Sequence, residues 1–354
     1  MRSGNPSSEF CSSFLVHSIC ALASMHRSDQ AVFSEEGNML TRGDRFHKQA
    51  LRLYYAEEGR ASLTNLQAVM ILIMSCGFRG HDKLGLGLLT AAVGMESALT
   101  SMRRGAPPLD VSAYQSLSPV EQARIRARFG ASCGIACTEI SYRSALLLTS
   151  AFSASHLESL ASGCQMLPVR TEYWVPYPLS SNPLPWRRNI GLQARMELVR
   201  LVRDLCELLF GVRRILATVE LRRNATALAK SFHNWMLSLP VDLRYSNNMP
   251  TPVYELHRQY LCAVMVLHIT VWRHLRSPTV TEEISTPEHY QVDKNQDFLL
   301  QALSHARQGS RLLKDFRETY GLRLVPPFVV QPAQIGSLLL LEHLDLDPIS
   351  PITQ

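Results

Sequence analysis

Between Met196 and Val219, Leu198, Leu201, Val202, Leu205, Leu208, Leu209, Val212, Leu216 and Val219 fall on one stripe at helical spacing. Arg200, Arg203, Asp204, Glu207 and Arg214 fall mostly opposite it. Apolar residues three and four apart form one face of an α-helix and nothing else, so this segment predicts an amphipathic helix with its apolar face inward. The pattern returns in Leu228, Phe232, Trp235 and Leu239 before Pro240, in Tyr254–Arg276, and from about Asp297 to Tyr320, where Gly321 stops it. Strand-like alternation is scarce. With 354 residues, 46% apolar and only 19% charged, the chain has the means to bury a large core and lacks a disordered composition. The expected fold is all-α, a compact multi-helix body over residues 10–345, with a disordered stretch at 1–9 and a tail at 346–354.

The first half punctuates itself in the same way. Helices are expected over 10–26, Arg45–Glu58 (ended by Gly59), from the apolar run Ala68–Met74, and over Lys83–Met102. Thr64 and Gln67 have capping-box spacing ahead of the third of these. Ser118-Pro119-Val120-Glu121 is a strong start signal, with a cap at Ser118 and Pro at the first helical position, opening a helix toward Leu148. Gly105–Leu117 and the Pro- and aromatic-rich Gly163–Asn189 read as loops, the latter containing Trp174-Val175-Pro176-Tyr177-Pro178. Ser277–Asn295 reads as a polar insert. No fixed-period repeat is visible, which argues against a solenoid.

The net charge is +6 and almost all basic residues are Arg, spread along the chain as solvated helix faces. The eight cysteines form no C-x-x-C pair and several lie in apolar runs, a pattern that suits free thiols in a reducing compartment. The apolar stretch Phe10–Met25 carries Cys11, His17 and Cys20 and lacks the smooth centre of a signal peptide. The runs Ala68–Cys76 and Tyr260–Trp272 fall short of the ~20 residues of a membrane span, so no membrane partner is expected.

Marks of catalysis are sparse. Gly80–Gly87 has glycines but no Gly-Lys-Ser/Thr, and neither H-E-x-x-H nor G-x-S-x-G occurs. His156-Leu157-Glu158 lacks the P-C-x-x-C of zinc deaminases, and Asp345-Leu346-Asp347 is a lone D-x-D at the end of the chain. No catalytic residue, metal ligand or cofactor is expected, and the chain is not expected to be an enzyme. His257 and His268, eleven apart, share a helix face and read first as core or capping histidines.

Several phrases, in order, resemble the middle homology region of fungal zinc-cluster transcription factors. They are Ile19-Cys20-Ala21-Leu22-Ala23, Gly43–Ala50, Ser62–Ala68, His81–Gly85 through Met95, and Pro119–Phe129 with Glu121, Arg124 and Arg126. Trp174–Pro178, then Trp235 with Leu239-Pro240, then Leu256–Tyr260 follow as in the nitrogen-regulation type. The resemblance covers roughly 10–280. Where the family often has Trp, Phe129 stands, and Thr138-Glu139 with Ala145–Ser150 replace an Asp and a Gly-Arg-Pro phrase. The family's six-cysteine, two-zinc DNA-binding module has no counterpart, as in a truncated reading of the gene or a factor that has lost its reader.

The resemblance implies a nuclear regulatory region of a transcription factor that contacts DNA only through that missing module. It also implies transcriptional co-regulators or a small-molecule effector as partners. An effector pocket is expected among the 196–219, 228–239 and 254–276 helices, with Trp235, His257 and Tyr260 as candidate lining residues; their plainer role is packing and capping. The alternative is a helical protein-interaction scaffold with no transcriptional role.

Overall fold

Serine builds the starts of several helices in this chain. In a computed structural model that describes residues 7–27, 29–101, 111–167, 172–176, 180–211, 218–247, 249–276, 288–322 and 327–346, α1 (Ser13–Ser24) is capped by Ser12, whose hydroxyl accepts from the Leu15 amide at 3.2 Å. α2 spans Asp44–Ala56 and α3 Leu63–Phe78. The cap of α3 is Ser62, extended at φ −142° and accepting from Asn65; the Thr64–Gln67 box expected from sequence does not form, because Thr64 is already inside the first turn. α4 (Asp82–Ser101) and the short α5 (Val111–Ser116) precede α6 (Pro119–Ala145). At α6 the box does form: the Glu121 amide donates to Ser118 Oγ at 3.3 Å, and the Ser118 amide donates back to Glu121 Oε2 at 3.1 Å. α7 covers Ala154–Met166, with Ser153 as its cap.

The second half holds α8 (Arg188–Phe210), α9 (Thr218–Ser238), α10 (Thr251–Leu275), α11 (Glu288–Tyr320) and α12 (Gln331–Leu346). The helix predicted through Val219 ends at Phe210, where Gly211 turns extended at ψ 133°. Glycine gains least from helical backbone, so an apolar stripe running through it does not hold the helix together. Val212 and Leu216 of that stripe lie outside the described residues. α11 stops at Gly321, whose φ is +75°. Among the described residues, strands are limited to two small antiparallel hairpins. β1 (Ser7–Ser8) pairs with β2 (Cys11–Ser12), and β3 (Glu172–Trp174) pairs with β4 (Leu184–Trp186). The first occupies part of the expected disordered 1–9 stretch, the second part of the expected loop 163–189. Tyr177 and Pro178 of the quoted phrase, Asp347 of the D-x-D and the tail after Leu346 lie outside the described residues.

The sequence reads as one helical body over 10–345, and within it the contacts form two compact units. Unit 1 takes in α1 to α7, with α6 contributing as far as Tyr142. α1 packs on α2 and α3, and α3 on α4. Gly43, with φ +68°, sets the approach of α2, since a Cβ there would meet Ser24 Cβ at 2.8 Å and the Ala21 carbonyl at 3.1 Å. Arg79 then locks the entry, its buried guanidinium donating to Asp44 and to the Arg42 carbonyl. The core is Leu66, Val69, Leu72, Ile73, Leu88 and their neighbours. By length and composition α4 would suit a bilayer, but here its Leu88, Leu89, Ala92 and Met95 are buried in the unit.

Unit 2 is organised around α10, which packs on α8, α9, α11 and α12 and is buried from Val253 to Leu275 on nearly every side, as an all-round apolar helix must be. One ion cluster crosses this core. Arg258, 5% exposed, grips Glu255 through two hydrogen bonds of 2.7 Å, donates to Gln331 at 2.5 Å, and shares Glu255 with Arg195 at 3.2 Å. Burial works against both charges, but the pairing outweighs it, leaving Glu255 below and Arg258 above its ordinary pKa. Such satisfaction is what makes a buried pair tolerable. All eight cysteines are free thiols.

Candidate functional site

The three residues singled out from sequence sit in unit 2, and the structure brings two of them together. Trp235, on α9, stacks on Tyr260 of α10 with ring centroids 5.8 Å apart and planes 26° from parallel. Its indole N–H donates to the Ala194 carbonyl of α8 at 3.2 Å. Tyr260 also meets Phe232 edge-on at 6.3 Å and His305 of α11 at 6.2 Å. Tyr260 is buried, and burial pushes its phenol pKa up. The rings fill the space between these helices with one another.

His257 turns elsewhere on α10. Its Nε2 lies 2.9 Å from the Leu243 carbonyl and its ring meets Tyr245 edge-on at 5.9 Å. Burial lowers its pKa and the Leu243 hydrogen bond only partly offsets this, so the ring is neutral at pH 7. It caps the short 3₁₀ turn at Val241–Leu243. His268 does the same on its own helix, bonding the Val264 carbonyl at 2.6 Å. In this structure Trp235 and Tyr260 stack on each other and His257 bonds a backbone carbonyl.

A second cluster in unit 1 explains His156-Leu157-Glu158. His156 turns away from Glu158 toward Glu96 of α4, with Nε2 at 3.4 Å from the carboxylate and Phe152 stacked on its ring at 5.1 Å. Thr100 also donates to Glu96 at 2.9 Å. Burial raises the Glu96 carboxyl, but His156 together with the hydrogen bonds of Thr100 and Ser132 outweighs it, and the pKa ends below its usual value. Among the described residues no group of three His, Cys, Asp or Glu side chains is placed to hold a metal ion.

Sequence reasoning passed over the open space. Unit 1 contains a cavity of about 800 Å³ at the foot of α1, α2, α3, α4 and α6, within the size range of small-molecule sites. Its apolar wall is Phe14, Leu53, Leu63, Leu99, Leu117 and Ile125. All but Phe14 are half-buried, so they belong neither to the core nor to the free surface. Ser12, Ser13, Ser62 and Thr64 also line it, so α1 and α3 both begin at its wall.

The charged wall holds three arginines and three glutamates. Arg124 binds Glu9, from the turn of the N-terminal hairpin, through both Nε and Nη2, the latter at 2.8 Å. Arg60 pairs with Glu57 at 2.5 Å, and Glu57 also accepts from Asn65 at 3.2 Å. Glu121 is engaged by Ser118, and Arg128 completes the wall. Glu121, Arg124, Ile125 and Arg128 fall at i, i+3, i+4 and i+7, one stripe of α6. No residue of α6 is buried before Ala131, so this stripe serves the cavity instead of the core. A stripe that mixes arginine with isoleucine is the signal that could have found it. Comparison with known protein families, curated proteins and solved structures returns no match to this chain.

Proposed function

We propose that this chain is a ligand-responsive regulatory region of a transcription factor of the fungal zinc-cluster type. The observation that carries the reading is the order of phrases over 10–280, from Ile19–Ala23 to Leu256–Tyr260. An all-helical architecture agrees with it. The cavity of unit 1 supplies what such a region needs in order to respond, a small-molecule space whose wall is assembled from the starts of α1 and α3 and the exposed half of α6. An occupant would touch the starts of α1 and α3 and the exposed half of α6 at once, and a ligand that binds one arrangement of them better than another shifts the population toward it. In this reading DNA is reached through a separate module, the region acts in the nucleus, and its output passes to co-regulators.

The test is to fuse residues 1–354 to an unrelated DNA-binding module and measure a reporter behind that module's site in a fungal host. Transcription is expected to change, in either direction, relative to the module alone. A fusion indistinguishable from the module alone refutes the reading and leaves the helical interaction scaffold.

A further inference from the structure

The Arg124–Glu9 contact shows what the cavity is shaped to recognise. A guanidinium that offers Nε and Nη2 in parallel to two oxygens of one group presents the fork geometry that fits a carboxylate. Here that carboxylate comes from residue 9, more than a hundred positions away in sequence, and the pair is half-exposed, with 47% and 43% of the two side chains open to solvent. Exposed ion pairs contribute little, because water competes and both side chains lose rotamer freedom. Glu9 is therefore a carboxylate that can be exchanged at small cost.

Behind Arg124 the wall turns apolar. Ile125 follows on the same stripe, and Leu53, Leu63 and Leu99 face the same space from α2, α3 and α4. Leaving these side chains half in contact with water forgoes part of their burial free energy, which a ligand's apolar body would recover. Arg60 meets its sequence neighbour Glu57 through Nη2, and Glu121 is held by Ser118, whereas Arg124 presents a two-point fork to a carboxylate distant in sequence. The first turns of α1 and α3 at the wall add the partial positive charge of two helix N-termini, which also favours an anion.

We propose that the cavity binds an apolar monocarboxylate, whose carboxylate replaces that of Glu9 on Arg124 and whose body lies along Leu53, Leu63, Leu99 and Ile125. The role of such a ligand as an effector rests on the transcriptional reading; the binding does not, and the reporter assay above can fail while the binding holds. Decanoate, kept below its micellar range and titrated calorimetrically into the full chain, is expected to bind saturably at one site. Decanol, with a similar body and no charge, and decyltrimethylammonium, with the opposite charge, are expected to bind about tenfold more weakly or worse, the loss of a charge-assisted pair.

Arg124→Met, at a solvent-facing position, is expected to abolish the preference for decanoate over decanol while leaving the circular dichroism unchanged. Glu9→Gln is expected to tighten decanoate severalfold by replacing a charged competitor at the fork with a neutral one. Equal affinity for decanoate and decanol in the parent chain, or an undiminished preference in R124M, overturns carboxylate recognition. Undiminished binding in Leu99→Trp, whose indole would occupy the cavity, or in Ile125→Asp where that indole prevents folding, overturns the location.

Discussion

Two places in this molecule are rich in the side chains that build ligand sites, and they have opposite fates. Around Trp235 and Tyr260 in unit 2, aromatic rings from α9, α10 and α11 meet one another at 5.8–6.3 Å and the one indole donor is satisfied by a backbone carbonyl. At the foot of unit 1, apolar and charged side chains from five helices and the turns between them stop short of one another and leave about 800 Å³. Residue type favours the first as a binding site. What decides is whether the side chains find partners inside their own fold: flat rings on neighbouring helices do, whereas a wall that alternates guanidinium and aliphatic side chains cannot close on itself without burying charge.

The sharpest way to break this comparison is Trp235→Ala. If the cluster is closed packing, removing the indole leaves a void and loses its hydrogen bond to the Ala194 carbonyl, at a cost of about 3–5 kcal/mol to unit 2. All four tryptophans, 174, 186, 235 and 272, lie in unit 2, so denaturant melts followed by the emission of the other three read that unit. A cost below about 1 kcal/mol would mean the ring stands in an open site after all.

The second prediction sharpens the contrast by showing that it lies between closed and open places and not between units. His47 in unit 1 is 4% exposed, with Nδ1 3.1 Å from Ser75 Oγ. Burial, then the charges of Arg79, His81 and Lys48, with Asp44 opposing, hold its pKa down to about 4. In unit 2, burial and then His268 and His233 hold His305 down to about 4 as well. Each ring is neutral when folded, and the unfolded chain takes up the proton first, near the ordinary histidine value. Stability is therefore full at neutral pH and falls as pH drops through the window from about 6.5 to about 4, by about 2–3 kcal/mol for each ring. Denaturation free energies at the two ends of that window, compared with His47→Gln and His305→Gln, check this. A parent-like pH slope in either variant would show that its ring is not held neutral.

How much of this was legible in the chain depends on distance along it. The Ser118–Glu121 box, the stop at Gly321 and the burial of α10 are local patterns, and they read correctly because cap, glycine and apolar period act within a few residues of themselves. The end of α8 at Phe210 did not, since an apolar stripe continues in sequence past a glycine that the backbone does not follow. The division into two units is a property of contacts between distant segments, which periodicity does not carry. For the same reason the cavity as a whole was not legible: its wall runs from Glu9 to Arg128, and only the α6 stripe Glu121, Arg124, Ile125 and Arg128 leaves a local mark of it. His257 shows the complementary failure, since it lies one turn from Tyr260 yet serves a different neighbour, Leu243, on a turn that sequence did not place.

The smallest effect is the most discriminating. Ile125→Ala removes a side chain of the same class as those in the core, from a half-buried position on a stretch of α6 where nothing is buried. The expected cost is about 1 kcal/mol or less, because the methyl groups lost were only partly withdrawn from water. Leu72→Ala in α3, fully buried in the same unit, is expected to cost about 2–5 kcal/mol. Hydrogen exchange of α1 and α3 amides reads both, since unit 1 has no tryptophan. If the two substitutions cost the same, the side chains around Ile125 are closed core, the space beside Arg124 does not exist in solution, and the difference between the two regions is lost along with the binding site built on it.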